Sequence, residues 1–96
     1  MATEQQVRDA LSEVFDPELR LDIMTLGLVY KITVLEHKVT VQMTFTTPLC
    51  PYGPNLVEDV KLQVGKLPGV ETVDVEIVFD PPWQPSEEVK AMLGVG

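Results

Sequence analysis

Apolar residues recur along this chain with two periods, and the switches between them divide it into elements. Val7, Ala10, Leu11, Val14 and Phe15 fall at i, i+3, i+4, i+7 and i+8, the stripe of an amphipathic helix. Thr3 followed by Gln6 forms a capping-box pair at its start. Pro17 disfavours the α conformation at Asp16, so the helix should stop near Phe15. "DPELRLDIMTLG" at 16–27 then reads as an ordered connector, pinned by Leu19, Ile23 and Leu26, with Gly27 at a sharp change of direction.

From residue 28 the period drops to two. "LVYKITVL" (28–35) and "VTVQMTFT" (39–46) are strands joined by the short turn "EHK", which makes a hairpin. Val39, Val41, Met43 and Phe45 share one face; Thr40, Gln42, Thr44 and Thr46 share the other. Gly53, Pro54 and Asn55 open a second helix, because proline is tolerated in a first turn. Leu56, Val57, Val60, Val64 and Leu67 are its apolar face, and "LPG" at 67–69 ends it. "VETVDVEIVF" (70–79) alternates again, with Val73, Val75, Ile77 and Phe79 inward and Asp74 and Glu76 outward. "DPPWQP" (80–85) is a rigid loop, and Ser86 caps a short last helix with acids in its first turn.

The order α-β-β-α-β-α follows. All three strands carry a polar face, so helices must cover one side of a small, mostly antiparallel three-stranded sheet. The expectation is an α+β two-layer domain.

Composition narrows the function classes. Seven Lys and Arg against fifteen Asp and Glu give a formal charge of −8, which repels phosphate backbones and anionic membranes. No apolar run approaches the roughly 20 residues that span a bilayer, and "MATEQQVRDA" lacks the layout of a secretory signal. A cytoplasmic protein that binds neither nucleic acid nor membrane is expected. A single cysteine excludes an internal disulfide.

That cysteine, Cys50, sits in "TFTTPLCPYGPN" (44–55), bracketed by Pro48, Pro51 and Pro54 and three residues before Gly53. Stiff flanks present the sulfur, and a nearby helix N-terminus favours the thiolate. Thr46 and Thr47 add hydroxyls beside it. The bland alternative is a small buried hydrophobe. Asp16 and Glu18, around Pro17, read either as a helix-stop turn residue and a solvated acid, or as acids that fold back to orient a thiol, accept its proton or help ligate a cation. His37 lies in the hairpin turn, far along the second strand from Cys50, and reads as a solvated turn residue. Trp83 is expected over the sheet edge or a helix end, and the acids of the third strand on a solvated face.

"DPEL" (16–19), "LGLVY" (26–30), "MTFTTPLCP" (43–51), "LPGV" (67–70), "PPW" (81–83) and "MLG" (92–94) occur together and in order. In these the chain resembles the MIP-type family of metal–sulfur cluster biosynthesis proteins, which includes SufT-like and PaaD-like iron–sulfur assembly proteins. The resemblance covers nearly the whole chain. It implies one iron–sulfur cluster assembly-type domain over residues 1–96 and a role in maturing Fe–S proteins. The family's signature cysteine maps onto Cys50, its acidic motif onto Asp16 and Glu18, and its threonines onto Thr46 and Thr47. Many relatives have Gly before the cysteine; here Leu49 stands there, which bears on the pose of the sulfur. The implied cofactor is a transient iron–sulfur cluster or iron, with Cys50 as its ligand. The implied partners are Fe–S client proteins and other assembly components.

Clusters take several thiolates and one chain supplies one. A homodimer, a partner's ligands or a small thiol would have to complete the set. That points to an assembly factor or carrier more than to a stand-alone catalyst. The alternative is an adaptor that recruits clients to other machinery through exposed groups such as Tyr52 and Trp83. A thiol-dependent enzyme is the weaker third reading, since no His lies near Cys50 in sequence.

Overall fold

Thr3 starts the first helix as its side chain predicts. Its Oγ1 accepts the Gln6 N–H at 3.1 Å, and Gln6 Oε1 accepts the Thr3 N–H at 2.9 Å. The computed structural model describes residues 2–17, 19–46 and 52–93. Helix α1 (Glu4–Leu11) is followed by a short helix α2 (Ile23–Leu26), strands β1 (Val29–Leu35) and β2 (Lys38–Met43), helix α3 (Gly53–Gly65), strand β3 (Thr72–Ile77) and helix α4 (Glu87–Leu93). The α+β architecture expected from the alternation is present, with one additional helical turn, α2.

Helix α1 ends at Leu11, a turn earlier than the proline rule sets it. A competing pairing explains the difference. Phe15 makes an antiparallel bridge to Asp22, and the Ile23 N–H donates to the Val14 carbonyl at 2.9 Å. Phe15 therefore leaves the apolar stripe and is 51% exposed, while Val7, Leu11 and Val14 are buried. Helix α2 occupies part of the connector. Asp22 caps it through Oδ2, which accepts the Thr25 N–H at 3.0 Å. Gly27 ends it at φ 76°, a left-handed conformation in which a β-carbon would be strained.

Strands β1 and β2 pair antiparallel through a two-residue turn, Glu36–His37, whereas β2 and β3 pair parallel. The sheet expected to be mostly antiparallel is thus mixed, one ladder of each kind. The thirteen residues of α3 return the chain to the end of the sheet where β2 began, and a strand entered from that end must run parallel. Rows Val34–Val39–Val73 and Ile32–Val41–Val75 form the inner face, and Thr33–Thr40–Asp74 lies on the outer one. Val39, Val41 and Met43 of the central strand are buried with Val7 and Leu11 of α1 and Leu56, Val60 and Val64 of α3. Phe79, expected inward, lies beyond the end of β3 and is 47% exposed.

The C-terminal segment is tied back to the start of β1. The Trp83 indole N–H donates to the Leu26 carbonyl at 2.6 Å, and the Tyr30 hydroxyl donates to the Pro81 carbonyl at 2.9 Å. Trp83 thus meets a helix end, one of its two expected positions. Ser86 caps α4 by accepting the Val89 N–H at 3.1 Å. Among the described residues no helix is long and apolar enough to cross a membrane.

Candidate functional site

Two sequence motifs have to be placed, the acidic turn at 16–19 and the loop that follows β2. The turn is tight. The Asp16 N–H donates to the Leu21 carbonyl at 3.0 Å, and the Asp16 carbonyl accepts the Arg20 N–H at 2.8 Å. Arg20 takes φ 60° to close it. Asp16 itself is fully buried, and its Oδ1 accepts the Leu19 N–H at 3.0 Å. A carboxylate caps its own turn here, out of solvent. Burying such a group without hydrogen bonds would cost several kcal/mol (about 2–7 for a neutral polar group, more for a charge). Glu18 lies outside the described residues.

At the other motif, β2 ends at Met43 and the chain continues through buried Thr44, then half-buried Phe45 and Thr46. The Thr44 N–H donates to the Leu28 carbonyl at 2.8 Å, which holds the start of the loop against the start of β1. Thr47 and Cys50 lie outside the described residues, as does Leu49. Tyr52 is the N-cap of α3, and its carbonyl accepts the Leu56 N–H at 3.0 Å. Gly53 and Pro54 occupy the first helical positions, as the sequence predicts, and the first turn of α3 carries no acidic residue.

A run of backbone hydrogen bonds connects the two motifs. The Ile23 N–H donates to Val14 at 2.9 Å, the Leu28 N–H to Ile23 at 3.0 Å, and the Thr44 N–H to Leu28 at 2.8 Å. Residues 14–16 and residues 44–46 consequently sit at the same end of the sheet. Trp83 braces the middle of this run through the last carbonyl of α2.

The opposite end of the sheet is the hairpin end. There the exposed His37 donates from Nδ1 to the Gly69 carbonyl at 2.8 Å, while its own carbonyl accepts the Glu71 and Thr72 N–H groups. A carbonyl can only accept, so Nδ1 carries the proton. His37 is a pinned turn residue, separated from Thr44 by the length of β2. Lys38 beside it lies 2.9 Å from Asp74. The hydrogen bond to Asp74, then its charge, then that of Glu76 raise the ammonium pKa above the usual lysine value of 10.5. Asp74 and Glu76 are exposed on the outer face, as expected.

Among the described residues no three His, Cys, Asp or Glu side chains converge as a metal site. The chain holds one cysteine. An iron–sulfur cluster bound by several thiolates therefore cannot be completed by one copy. Phe45, Phe79 and Gly53 form a contact beside the loop that the strand pattern did not reveal. The two rings meet edge to face, centroids 6.2 Å apart at 60°. Its one signal in the sequence is Gly53, directly after the loop, which the periodicity assigns only to a helix start.

Comparison with known proteins gives consistent relatives. Residues 4–77 match the family described as "Iron-sulfur cluster assembly protein". The "Fe-S protein maturation auxiliary factor SufT" of Staphylococcus aureus is 44% identical over 86 residues, covering 85% of this chain and 98% of the relative. The factor YitW of Bacillus subtilis, of the same description, is 40% identical and covers 98% of this chain and 96% of its own. A structure of a domain of unknown function, DUF59, from Bacillus anthracis superposes with a TM-score of 0.87 at 36% identity, over 97% of this chain and 92% of that one.

Proposed function

Since the chain belongs to the iron–sulfur cluster assembly protein family, we propose that it acts in Fe–S protein maturation through the sulfur of Cys50, with an iron ion or cluster as cargo. The hydrogen-bond run from Val14 through Ile23 and Leu28 to Thr44 carries this reading, because it fixes the acidic turn and the root of the Cys50 loop at one end of the sheet. A thiolate at Cys50 supplies one ligand to iron. The remaining ligands come from a second copy, a client protein or a small thiol, and the client's own thiolates replace Cys50 on delivery. Partial occupancy by one chain suits release: a site that satisfied the cargo alone would retain it.

Asp16 holds the acidic turn in shape, with its carboxylate engaged and out of solvent. Thr46 stands at the root of the loop. Glu18 and Thr47 are assigned to the same site from the sequence. The partners are Fe–S client proteins and other assembly components in the cytoplasm, and the cargo role makes the protein a carrier rather than a stand-alone catalyst.

Replacement of Cys50 by Ser tests this. The variant should keep the wild-type circular dichroism spectrum and melting temperature, yet fail to support activation of an Fe–S client enzyme in a strain lacking the wild-type protein. Wild-type client activity with C50S would remove the sulfur from the mechanism. A second reading, an adaptor without sulfur chemistry, is favoured by the half-exposed Phe15, Phe79 and Met92. It would be left standing by that result, and substitutions at those apolar positions would then become the damaging ones.

A further inference from the structure

Strand β3 stands at one edge of the sheet. It pairs with β2 over six consecutive residues, Thr72–Ile77, and among the described residues no strand pairs with its other side. The Thr72 and Val78 N–H groups donate to the His37 and Met43 carbonyls at 3.1 and 2.9 Å. Successive residues of a strand turn their N–H and C=O groups to opposite edges. Thr72, Asp74, Glu76 and Val78 therefore face β2, and Val73, Val75 and Ile77 turn their backbone groups to the free edge.

The sheet's other edge is blunted, and this one is not. At β1 the register breaks between Val29 and Lys31, Lys31 is exposed, and the Tyr30 hydroxyl is tied to the Pro81 carbonyl. Register breaks and edge lysines discourage the addition of a further strand. Strand β3 keeps an unbroken register and contains no Pro, Gly or Lys. Its inner row is also incompletely covered. Val39, Val41 and Met43 of β2 are buried, whereas their partners Val73, Val75 and Ile77 are only partly so.

Charge decides what an added strand would carry. No Lys or Arg occurs between Lys66 and Lys90, while Glu71, Asp74, Glu76 and Asp80 lie on β3 or just beyond its ends. Asp74 and Glu76 are exposed on the outer face, and among the described residues their one ion pair is that of Asp74 with Lys38. Two copies joined through β3 would set acid opposite acid, which is destabilising, in a chain already at −8. We infer that the free edge of β3 receives an extended basic segment of a partner protein as a fourth strand. Its backbone pairs with Val73, Val75 and Ile77. Its apolar side chains extend the inner row, and its alternate Lys or Arg side chains stand beside Asp74 and Glu76.

The inference is independent of the proposed role of Cys50. Its test uses the full chain and two acetylated, amidated peptides, KVKVKVK and EVEVEVE, titrated by fluorescence anisotropy at low salt. Exchange of each backbone amide with water is followed by NMR. KVKVKVK should bind with a Kd below about 1 mM, and EVEVEVE at least tenfold more weakly. With KVKVKVK at about ten times its Kd, exchange at Val73, Val75 and Ile77 should slow at least fivefold. Asp74 and Glu76, already bonded to β2, should change less than twofold. E76K should narrow the gap between the peptides at least threefold. Absent binding, equal binding of both peptides, or an unchanged gap in folded E76K would each overturn the inference. So would binding without selective slowing at the three edge amides, which would be charge attraction alone. Slowing at those amides that grows with protein concentration in the absence of peptide would assign the edge to a second copy and overturn the basic partner. If E76K does not fold, the wild-type exchange pattern decides.

Discussion

Asp16 offers the sharpest division between a turn held by hydrogen bonding and an acid used for its charge. Its side chain is fully buried and its Oδ1 accepts the half-buried Leu19 N–H at 3.0 Å. Replacing Asp16 by Ala deletes the acceptor and leaves that N–H in a place where water cannot fully compensate. The cost is about 1–3 kcal/mol. Against a total stability of roughly 5–14 kcal/mol for a chain of this length, a loss of about 2 kcal/mol lowers the melting temperature by about 8–16 °C. Replacing Asp16 by Asn keeps an oxygen acceptor in the same place, so D16N should stay within about 1 kcal/mol of wild type. Urea unfolding at pH 7, followed by far-UV circular dichroism, measures both variants. Client activation measures the consequence, which should follow stability: D16N active, D16A impaired. A D16N protein as unstable as D16A would show that the negative charge, not the acceptor, holds the turn. A stable but inactive D16N would show that the charge takes part in the chemistry and would refute the positioning role given to Asp16.

Trp83→Phe keeps most of the ring and removes the N–H that Leu26 accepts at 2.6 Å; a loss of about 1–3 kcal/mol is expected by urea titration, and no loss would mean that the C-terminal segment is not braced through that bond. Leu56, buried on the inner face of α3, should cost about 2–5 kcal/mol when cut to Ala, measured in the same way; a cost below about 1 kcal/mol would place α3 outside the core. Lys38→Met should leave the melting temperature within about 2 °C of wild type at pH 7, because exposed ion pairs contribute little. Asp74 raises the Lys38 pKa above its usual value, so the pair's contribution is fully present below pH 10.5 and is lost as pH rises through the raised value. Melting curves of wild type and K38M between pH 6 and 9 should therefore run parallel, and a divergence within that window would assign the pH dependence to another group.

Where a rule acts over three or four residues, the sequence was readable. The Thr3–Gln6 capping box, the Ser86 cap and the alternation through 29–35 and 38–43 all depend on neighbours along the chain. The end of α1 was not readable, because Phe15 answers to Asp22 and not to Pro17. The parallel β2–β3 ladder was in fact implied by a strand, a thirteen-residue helix and a strand in succession, and the alternation alone concealed it. For the candidate site the same distinction holds more strongly. "DPEL" carries the pattern of a turn, but nothing in its local sequence announces that Asp16 is fully buried, or that bonds running from Val14 through Ile23 and Leu28 to Thr44 tie that turn to the end of β2. Phe45 and Gly53 meet across seven intervening residues, so no periodicity announces them.

The two ends of the sheet depart from regular structure in different ways. At the hairpin end the ladder runs without interruption from Leu35–Lys38 to Ile32–Val41, Glu36 and Gly69 take left-handed conformations, and His37 closes onto the start of β3. At the other end the register breaks between Val29 and Lys31, Gly27 adopts a left-handed conformation, and Thr44 is a buried hydroxyl. What sets this end apart is that residues 26–30, 44–46 and 81–83 are bonded to one another across long stretches of sequence. If Cys50 offers its sulfur to a partner and then gives up its cargo, as proposed, its loop needs a fixed root more than a finished ligand set, and the Thr44–Leu28 bond supplies that root.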